Sequence, residues 1–287
     1  MLNKNTEVFM ACEAGIEDAD IILFGAPFDG TTSYRPGTRF GSSAIRRESY
    51  GVESYSPYQD MDLEDISVMD SGDLDLPFGN TEMALEAIKE RTEEILNASA
   101  VPFMLGGEHL VTLGAFRAVH RQYPDVVILH FDAHADLRDD YLGVSLSHAC
   151  VLRRCWELTG DGKIFQFGIR SGDRAELKWG KEHVNTHFFN LDGVESVLEQ
   201  VKELPVYLTV DLDVLDPSVF PGTGTPEPGG VSFDELRKAV THICRTARVV
   251  GCDVNELSPH YDPSGISAMA ACKLVREMLL ALSAEDK

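Results

Sequence analysis

From residue 21 to residue 282, short runs of β-branched and aromatic residues alternate with longer amphipathic stretches, and that alternation leaves few architectures open. The spacing predicts strands over residues 21–26, 66–69, 101–105, 126–131, 163–167, 206–210 and 249–254. Helical patterns cover residues 81–98, 110–122, 147–158, 194–203, 232–246 and 264–282, with Asn80 or Thr81 capping the first. Strands separated by helices build βαβ units, whose strands pair in parallel. The runs VVILHF and VYLTV are apolar on both alternating faces, as strands covered by helices on both sides must be. The expected fold is α/β, with three α/β/α layers around a central, mostly parallel sheet. No repeat, low-complexity tract or Pro/Ser linker breaks the pattern, so residues 1–287 read as a single domain.

Charge narrows the partners. Against 25 Lys and Arg stand 47 Asp and Glu, a formal charge of −22. Nucleic acid needs clustered cations, and an anionic membrane surface needs the same, so both are excluded as partners. A negative cleft instead concentrates cations, which suits a cationic substrate or a metal-rich site. No run of 18 apolar residues exists to cross a membrane. The first twenty residues carry Lys4, Glu7, Glu13, Glu17 and Asp18 and no apolar leader, which gives cytoplasmic as the expected location. The six cysteines (12, 150, 155, 244, 252 and 272) are sparse, form no CxxC pair and read as reduced, partly buried thiols without a chemical role.

Polar residues crowd three strand ends, where open parallel sheets bind ligands. VPFMLGGEH ends in Glu108 and His109; VVILHFDAHAD ends in Asp132, His134 and Asp136; VYLTVDLDVLD supplies Asp211 and Asp213. In extended backbone residues i, i+2 and i+4 project together, so each group is expected to point one way. Clustered carboxylates at the ends of apolar strands are costly to desolvate without a countercharge. His109, Asp132, His134, Asp136, Asp211 and Asp213 offer oxygen-rich ligation with some imidazole and no thiol, which favours Mn²⁺ over Fe²⁺, Co²⁺ or Zn²⁺. Six ligands suit a binuclear centre, in which two ions about 3.5–4 Å apart share a water and lower its pKa to make a hydroxide nucleophile. The segment of residues 216–230 (DPSVFPGTGTPEPGG) is long for a structureless connection and reads as functional.

At these residues the chain resembles a known family. MLGGEHLVTLG, VILHFDAHAD and TVDLDVLDPSVFPGTGTPEPGG are similar to the three signature segments of the ureohydrolase (arginase/agmatinase) superfamily. GAPFDGTTSYRPGTRFGSSAIR and GCDVNELSP resemble it too, so the likeness runs from Gly25 to Pro259, and the agmatinase branch fits best. The resemblance implies an arginase-like fold and two Mn²⁺ per subunit. His109, Asp132, Asp136 and Asp211 would hold one ion and Asp132, His134, Asp211 and Asp213 the other, with Asp132 and Asp211 bridging. It implies hydroxide attack on a guanidinium carbon, with Asp136 helping to pass a proton to the leaving amine. Glu256 would grip the guanidinium through paired hydrogen bonds, and His148 would shuttle protons with an ordinary imidazole pKa near 6.5. Agmatine would give putrescine and urea, a step of polyamine biosynthesis, in a homotrimer or homohexamer.

Where arginases carry an Asn, two positions past the last Asp of DxHxD, this chain has Arg138. That counts against arginine as substrate. Arg138 either pairs with a nearby carboxylate such as Asp139 or Asp140 or meets a substrate carboxylate, which keeps guanidinobutyrate and formiminoglutamate open beside agmatine and N-aminopropylagmatine. Two further classes stay open: a deacetylase-like amidohydrolase acting on acylated polyamines, and a non-catalytic scaffold. His120, His130, His183, His187, His242 and His260 match no family ligand and read as structural or surface residues, and Arg35–Arg39 as shaping a loop or subunit contact.

Overall fold

Apolar runs become strands buried on both faces. A computed structural model describes residues 7–284 of the chain; residues 1–6 and 285–287, Lys4 among them, lie outside the described residues. In chain order the first half holds β1 (Ile21–Gly25), α1 (Gly41–Ser49), a short antiparallel ribbon of β2 (Tyr55–Ser56) and β3 (Met61–Asp62), β4 (Val68–Asp73), α2 (Thr81–Asn97), β5 (Val101–Leu105), α3 (Val111–Gln122) and β6 (Val127–Phe131). The second half holds α4 (Val151–Thr159), β7 (Ile164–Ile169), α5 (Arg174–His183), β8 (Asn185–Phe188), α6 (Val194–Val201), β9 (Pro205–Asp211), α7 (Phe233–Thr246), β10 (Arg248–Asn255) and α8 (Ile266–Leu282). Among the described residues eight strands form one sheet in the order β4-β1-β5-β10-β9-β6-β7-β8, and every pairing between neighbours is parallel.

The pleat sorts side chains into two cores. Ile21 and Leu23 of β1 join Phe103, Leu129 and Leu208 under α1, α6, α7 and α8. Ile22 and Phe24 join Met104, Ile128 and Tyr207 under α2, α3 and α4. This is the three-layer α/β/α arrangement, and β6, β7 and β9 are buried along their full lengths.

The sheet differs from expectation at its margins. α1, α5 and the edge strand β8 were not expected: each is polar in sequence and buries little apolar surface. β4 begins two residues later than the pattern suggests and runs on to Asp73, because Arg46 satisfies its acids from α1. Asn80, rather than Thr81, caps α2 by accepting from Met83 N. The chain enters α4 through a 3-10 turn over His148–Cys150. All six cysteines are buried, and burial pushes the Cys150 and Cys272 thiols up to about 12. Among the described residues no helix is long and apolar enough to cross a membrane.

The strands that carry the polar segments are neighbours. β5, β10, β9 and β6 lie side by side at the centre of the sheet, although they are far apart in sequence. Their carboxyl ends therefore open at one place.

Candidate metal centre and active site

Six residues meet at that place. His109 Nδ1 lies 3.1 Å from Asp132 Oδ2, 3.1 Å from Asp136 Oδ2 and 3.5 Å from Asp211 Oδ2. His134 Nδ1 lies 3.1 Å from Asp213 Oδ2 and 3.5 Å from Asp132 Oδ1. Asp132 is thus shared by both imidazoles. Asp132, Asp136, Asp211 and Asp213 are all buried, and among the described residues none of them pairs with an Arg or Lys side chain.

Convergence comes from turns rather than from the pleat. β6 ends at Phe131, so Asp132, His134 and Asp136 lie beyond extended backbone. Asp132 Oδ1 accepts from His134 N at 2.6 Å, folding the segment back on itself. Asp136 then adopts a left-handed φ of 51°, and its carbonyl receives Leu152 N of α4 at 3.0 Å. β9 ends at Asp211, whose Oδ1 caps a 3-10 turn by accepting from Asp213 N at 2.8 Å. Glu256, just past β10, is also left-handed at φ 67°. Such backbone costs a non-glycine residue on the order of 1–3 kcal/mol and persists where the surroundings over-determine it.

The glycine pair before His109 has a steric reason. A Cβ on Gly107 would lie 1.9 Å from the Phe28 carbonyl oxygen, so only glycine lets β5 exit against the loop after β1. Glu256 fixes the same exit: its Oε1 accepts from His109 N at 2.7 Å, and its own N donates to Gly107 O at 2.9 Å. Burial, with Glu108 nearby, holds the Glu256 carboxyl well above its usual range.

The cluster's electrostatics show a demand for positive charge. Burial and then the Asp213 and Asp132 carboxylates raise Asp211 well above normal, and burial followed by Asp132 pushes Asp136 up to about 7. Burial alone would lower His109 and His134, yet their carboxylate partners outweigh it and hold both well above 6.5. Nitrogen and oxygen donors, clustered, buried and lacking any other cation, fit hard or borderline divalent ions.

A cavity of about 280 Å³ opens over this floor, lined by His134, Asp136, Asp211 and Glu256 together with His148, Ser33, Arg138, Tyr141, Asp173 and Thr225. Burial pushes His148 down to about 4, so the expected ordinary pKa near 6.5 is corrected: the imidazole is neutral at physiological pH. Arg138 pairs with neighbouring carboxylates, as one of its expected alternatives had it, and these are Asp173 and Glu176 rather than Asp139 or Asp140. It lies 3.5 Å from Asp173 Oδ2 and 3.6 Å from Glu176 Oε1, with its guanidinium 4.6 Å from the centre of the Tyr141 ring. Asp139 instead pairs with Arg154 at 2.8 Å, and Asp140 accepts from Gly143 N at 3.0 Å.

Three contributors escaped the sequence reading. His130 is buried with Nε2 2.8 Å from Asp132 Oδ2 and Nδ1 3.0 Å from Gln166 Nε2, so this structural histidine orients a candidate ligand. The signal was available, since His130 stands two residues before Asp132. His109 Nε2 meets Thr209 Oγ1 at 3.0 Å, and that hydroxyl donates to buried Asp253 at 2.6 Å. Arg170 stitches residues 213–227 down by donating to the carbonyls of Asp213 at 2.7 Å and Glu227 at 2.8 Å, which sets Thr225 Oγ1 3.2 Å from Asp213 Oδ2. Within that loop Asp216 is held at about 2 by hydrogen bonds from Ser218, Gly229 and Gly230.

Known proteins share this sequence and fold over nearly the whole chain. The model of the Arginase family matches residues 19–281. The chain belongs to the arginase family. It is 47% identical over 278 residues to the agmatinase of Bacillus subtilis (strain 168), covering 96% of each chain. It is 38% identical to the N(1)-aminopropylagmatine ureohydrolase of Thermococcus kodakarensis, over 88% of each. The solved agmatine ureohydrolase of Thermoplasma volcanium superposes with a TM-score of 0.89 at 33% identity, covering 97% of this chain and 95% of that one. Arginase-family enzymes depend on a binuclear metal centre, and the His/Asp groups of this member, Asp132 with His134 and Asp213 among them, suit metal binding.

Proposed function

We propose that this chain is an agmatinase: a single ureohydrolase domain, cytoplasmic and homo-oligomeric as a trimer or hexamer, that hydrolyses agmatine to putrescine and urea with two Mn²⁺ per subunit. The observation that carries the reading is the meeting of four carboxylates and two imidazoles, with no Arg or Lys side chain paired to them among the described residues, beneath a cavity that Glu256 also lines. His109, Asp132, Asp136 and Asp211 would hold one ion and Asp132, His134, Asp211 and Asp213 the second. Bound there, the pair supplies Lewis acidity and water activated at neutral pH.

The side chains then divide the remaining work. Glu256 accepts from His109 N with Oε1 and lines the cavity, where its carboxyl orients a guanidinium by hydrogen bonding. Asp136, raised to about 7 by burial and Asp132, is suited to hold a proton and pass it to the leaving amine. His148, neutral and lining the same cavity, accepts and returns protons between the site and solvent. Excess negative charge on the chain favours a cationic substrate.

Arg138 supports agmatine over carboxylate-tailed substrates. Asp173 and Glu176 already engage its guanidinium, and the three together leave that part of the wall net negative. A terminal ammonium suits it better than the carboxylate of guanidinobutyrate or formiminoglutamate. Urea release with added Mn²⁺ against agmatine, N-aminopropylagmatine, arginine and guanidinobutyrate tests the reading. Agmatine should be turned over fastest, and Arg138→Ala, which removes the cation that offsets Asp173 and Glu176, should widen its lead over guanidinobutyrate modestly. Acetylpolyamine hydrolysis without urea from any guanidino compound would replace this reading with the deacetylase-like one.

A further inference from the structure

One buried acid beside the site has no part in the roles above. Glu108 is fully buried, and its carboxylate receives three donors. Oε2 accepts from Thr31 N at 2.9 Å and from Thr32 Oγ1 at 3.1 Å, while Oε1 accepts the Thr31 hydroxyl. Thr31 in turn faces His148: its Oγ1 accepts from His148 N at 3.1 Å and lies 3.4 Å from His148 Nδ1.

We propose that Glu108 is a positioning residue that acts through Thr31 to fix the tautomer of His148, placing the proton on Nδ1 and presenting Nε2 to the cavity as the basic nitrogen. This rests on the reading of His148 as the proton carrier. A hydroxyl has one proton and two lone pairs. Glu108 takes the proton of Thr31, and His148 N–H takes one lone pair. The second lone pair faces Nδ1 and is satisfied only if Nδ1 bears hydrogen. A neutral imidazole then has its free lone pair on Nε2, which lies 3.4 Å from Ser33 Oγ on the exposed side. The same logic, a distant acceptor choosing which ring nitrogen is basic, governs histidines in other catalytic arrays. Ser147 Oγ, also 3.4 Å from Nδ1, is the competing hydroxyl, because its proton could turn toward that nitrogen.

Glu108→Gln separates these influences. Thr31 N–H and the Thr32 hydroxyl both need an acceptor at the Oε2 position, so the amide oxygen goes there and the amide NH₂ faces Thr31 Oγ1. Thr31 must then turn its proton to His148 Nδ1, and the ring proton moves to Nε2.

Neutron diffraction from deuterium-exchanged crystals of the manganese-loaded protein reads the tautomer directly, whatever the activity. The expected result is deuterium on Nδ1 and none on Nε2 in the unmodified chain, exchanged in Glu108→Gln. The Gln variant should lose roughly 10²-fold or more in kcat toward agmatine, with KM and manganese content little changed. Thr31→Val should lose kcat similarly, Thr31→Ser should restore it, and Ser147→Ala should leave the ring tautomer as it was. If Glu108→Gln does not fold, the contrast between Thr31→Val and Thr31→Ser decides. Deuterium on Nε2 in the unmodified chain, a Gln variant with the ring and kcat unchanged, or equal losses from Thr31→Val and Thr31→Ser would overturn the assignment. Absence of urea release from every guanidino compound would instead remove the functional reading and leave the tautomer result standing.

Discussion

Two groups of acids lie on the same sheet and are treated oppositely. At its edge, Asp70 and Asp73 of β4 face Arg46 of α1: Arg46 Nε and Nη2 reach the two oxygens of Asp70 at 2.7 and 3.0 Å, Nη1 reaches Asp73, and Phe9 N adds a bond of 2.8 Å. At its centre, among the described residues, Asp132, Asp136, Asp211 and Asp213 find only imidazoles, hydroxyls and backbone N–H groups. The first group carries its own cation and is a structural clamp. The second is short of positive charge, which its imidazoles partly answer through pKa values held well above 6.5. Burying acids does not by itself make a site; the group that gathers under the cavity is the one that no Arg or Lys side chain pairs among the described residues.

That contrast can be broken from either side. The largest effect should come from Asp211→Ala. Metal activation supplies several kcal/mol of transition-state stabilisation, so urea release should fall roughly 10³-fold or more while the circular dichroism spectrum stays native. A variant with near-normal turnover would mean the central acids do not form the catalytic centre. At the edge, Arg46→Leu leaves buried Asp70 uncompensated and should lower unfolding stability by about 3–5 kcal/mol in urea titration. Metal content per folded chain should not change, and a metal loss there would erase the distinction between the two groups. A smaller change should follow His130→Phe, which removes the ring that orients Asp132 and should weaken metal binding about 10- to 100-fold by competition with a chelator. Undiminished affinity would return His130 to a purely packing role.

How much of this could be read from the chain varies with the physics of each part. VILHF and VYLTV announce central strands because helices cover both faces and apolar residues fill every position but one or two. NTHF of β8 does not, since an edge strand needs no such filling. α5 left one readable mark, the Asp173 and Glu176 pair that forms its capping box. The six candidate ligands stood out because Asp and His are rare at the ends of apolar strands. Their convergence was misassigned to the pleat, because short turns after a strand, with Asp136 left-handed, leave no periodic trace. Glu108 and Asp253 were visible as letters only; what matters about them is which hydroxyl they face, and that is set by strand order, not by spacing.

The measurement closest to the central claim is metal stoichiometry. The chain, loaded with Mn²⁺, freed of excess by dialysis and analysed by mass spectrometry, should retain close to two ions, and Asp132→Ala should retain fewer than one, because Asp132 is shared by both imidazoles. Agmatine turnover should follow the bound metal through chelation and reloading. Full turnover by a metal-free chain, or two ions still held by Asp132→Ala, would contradict the account.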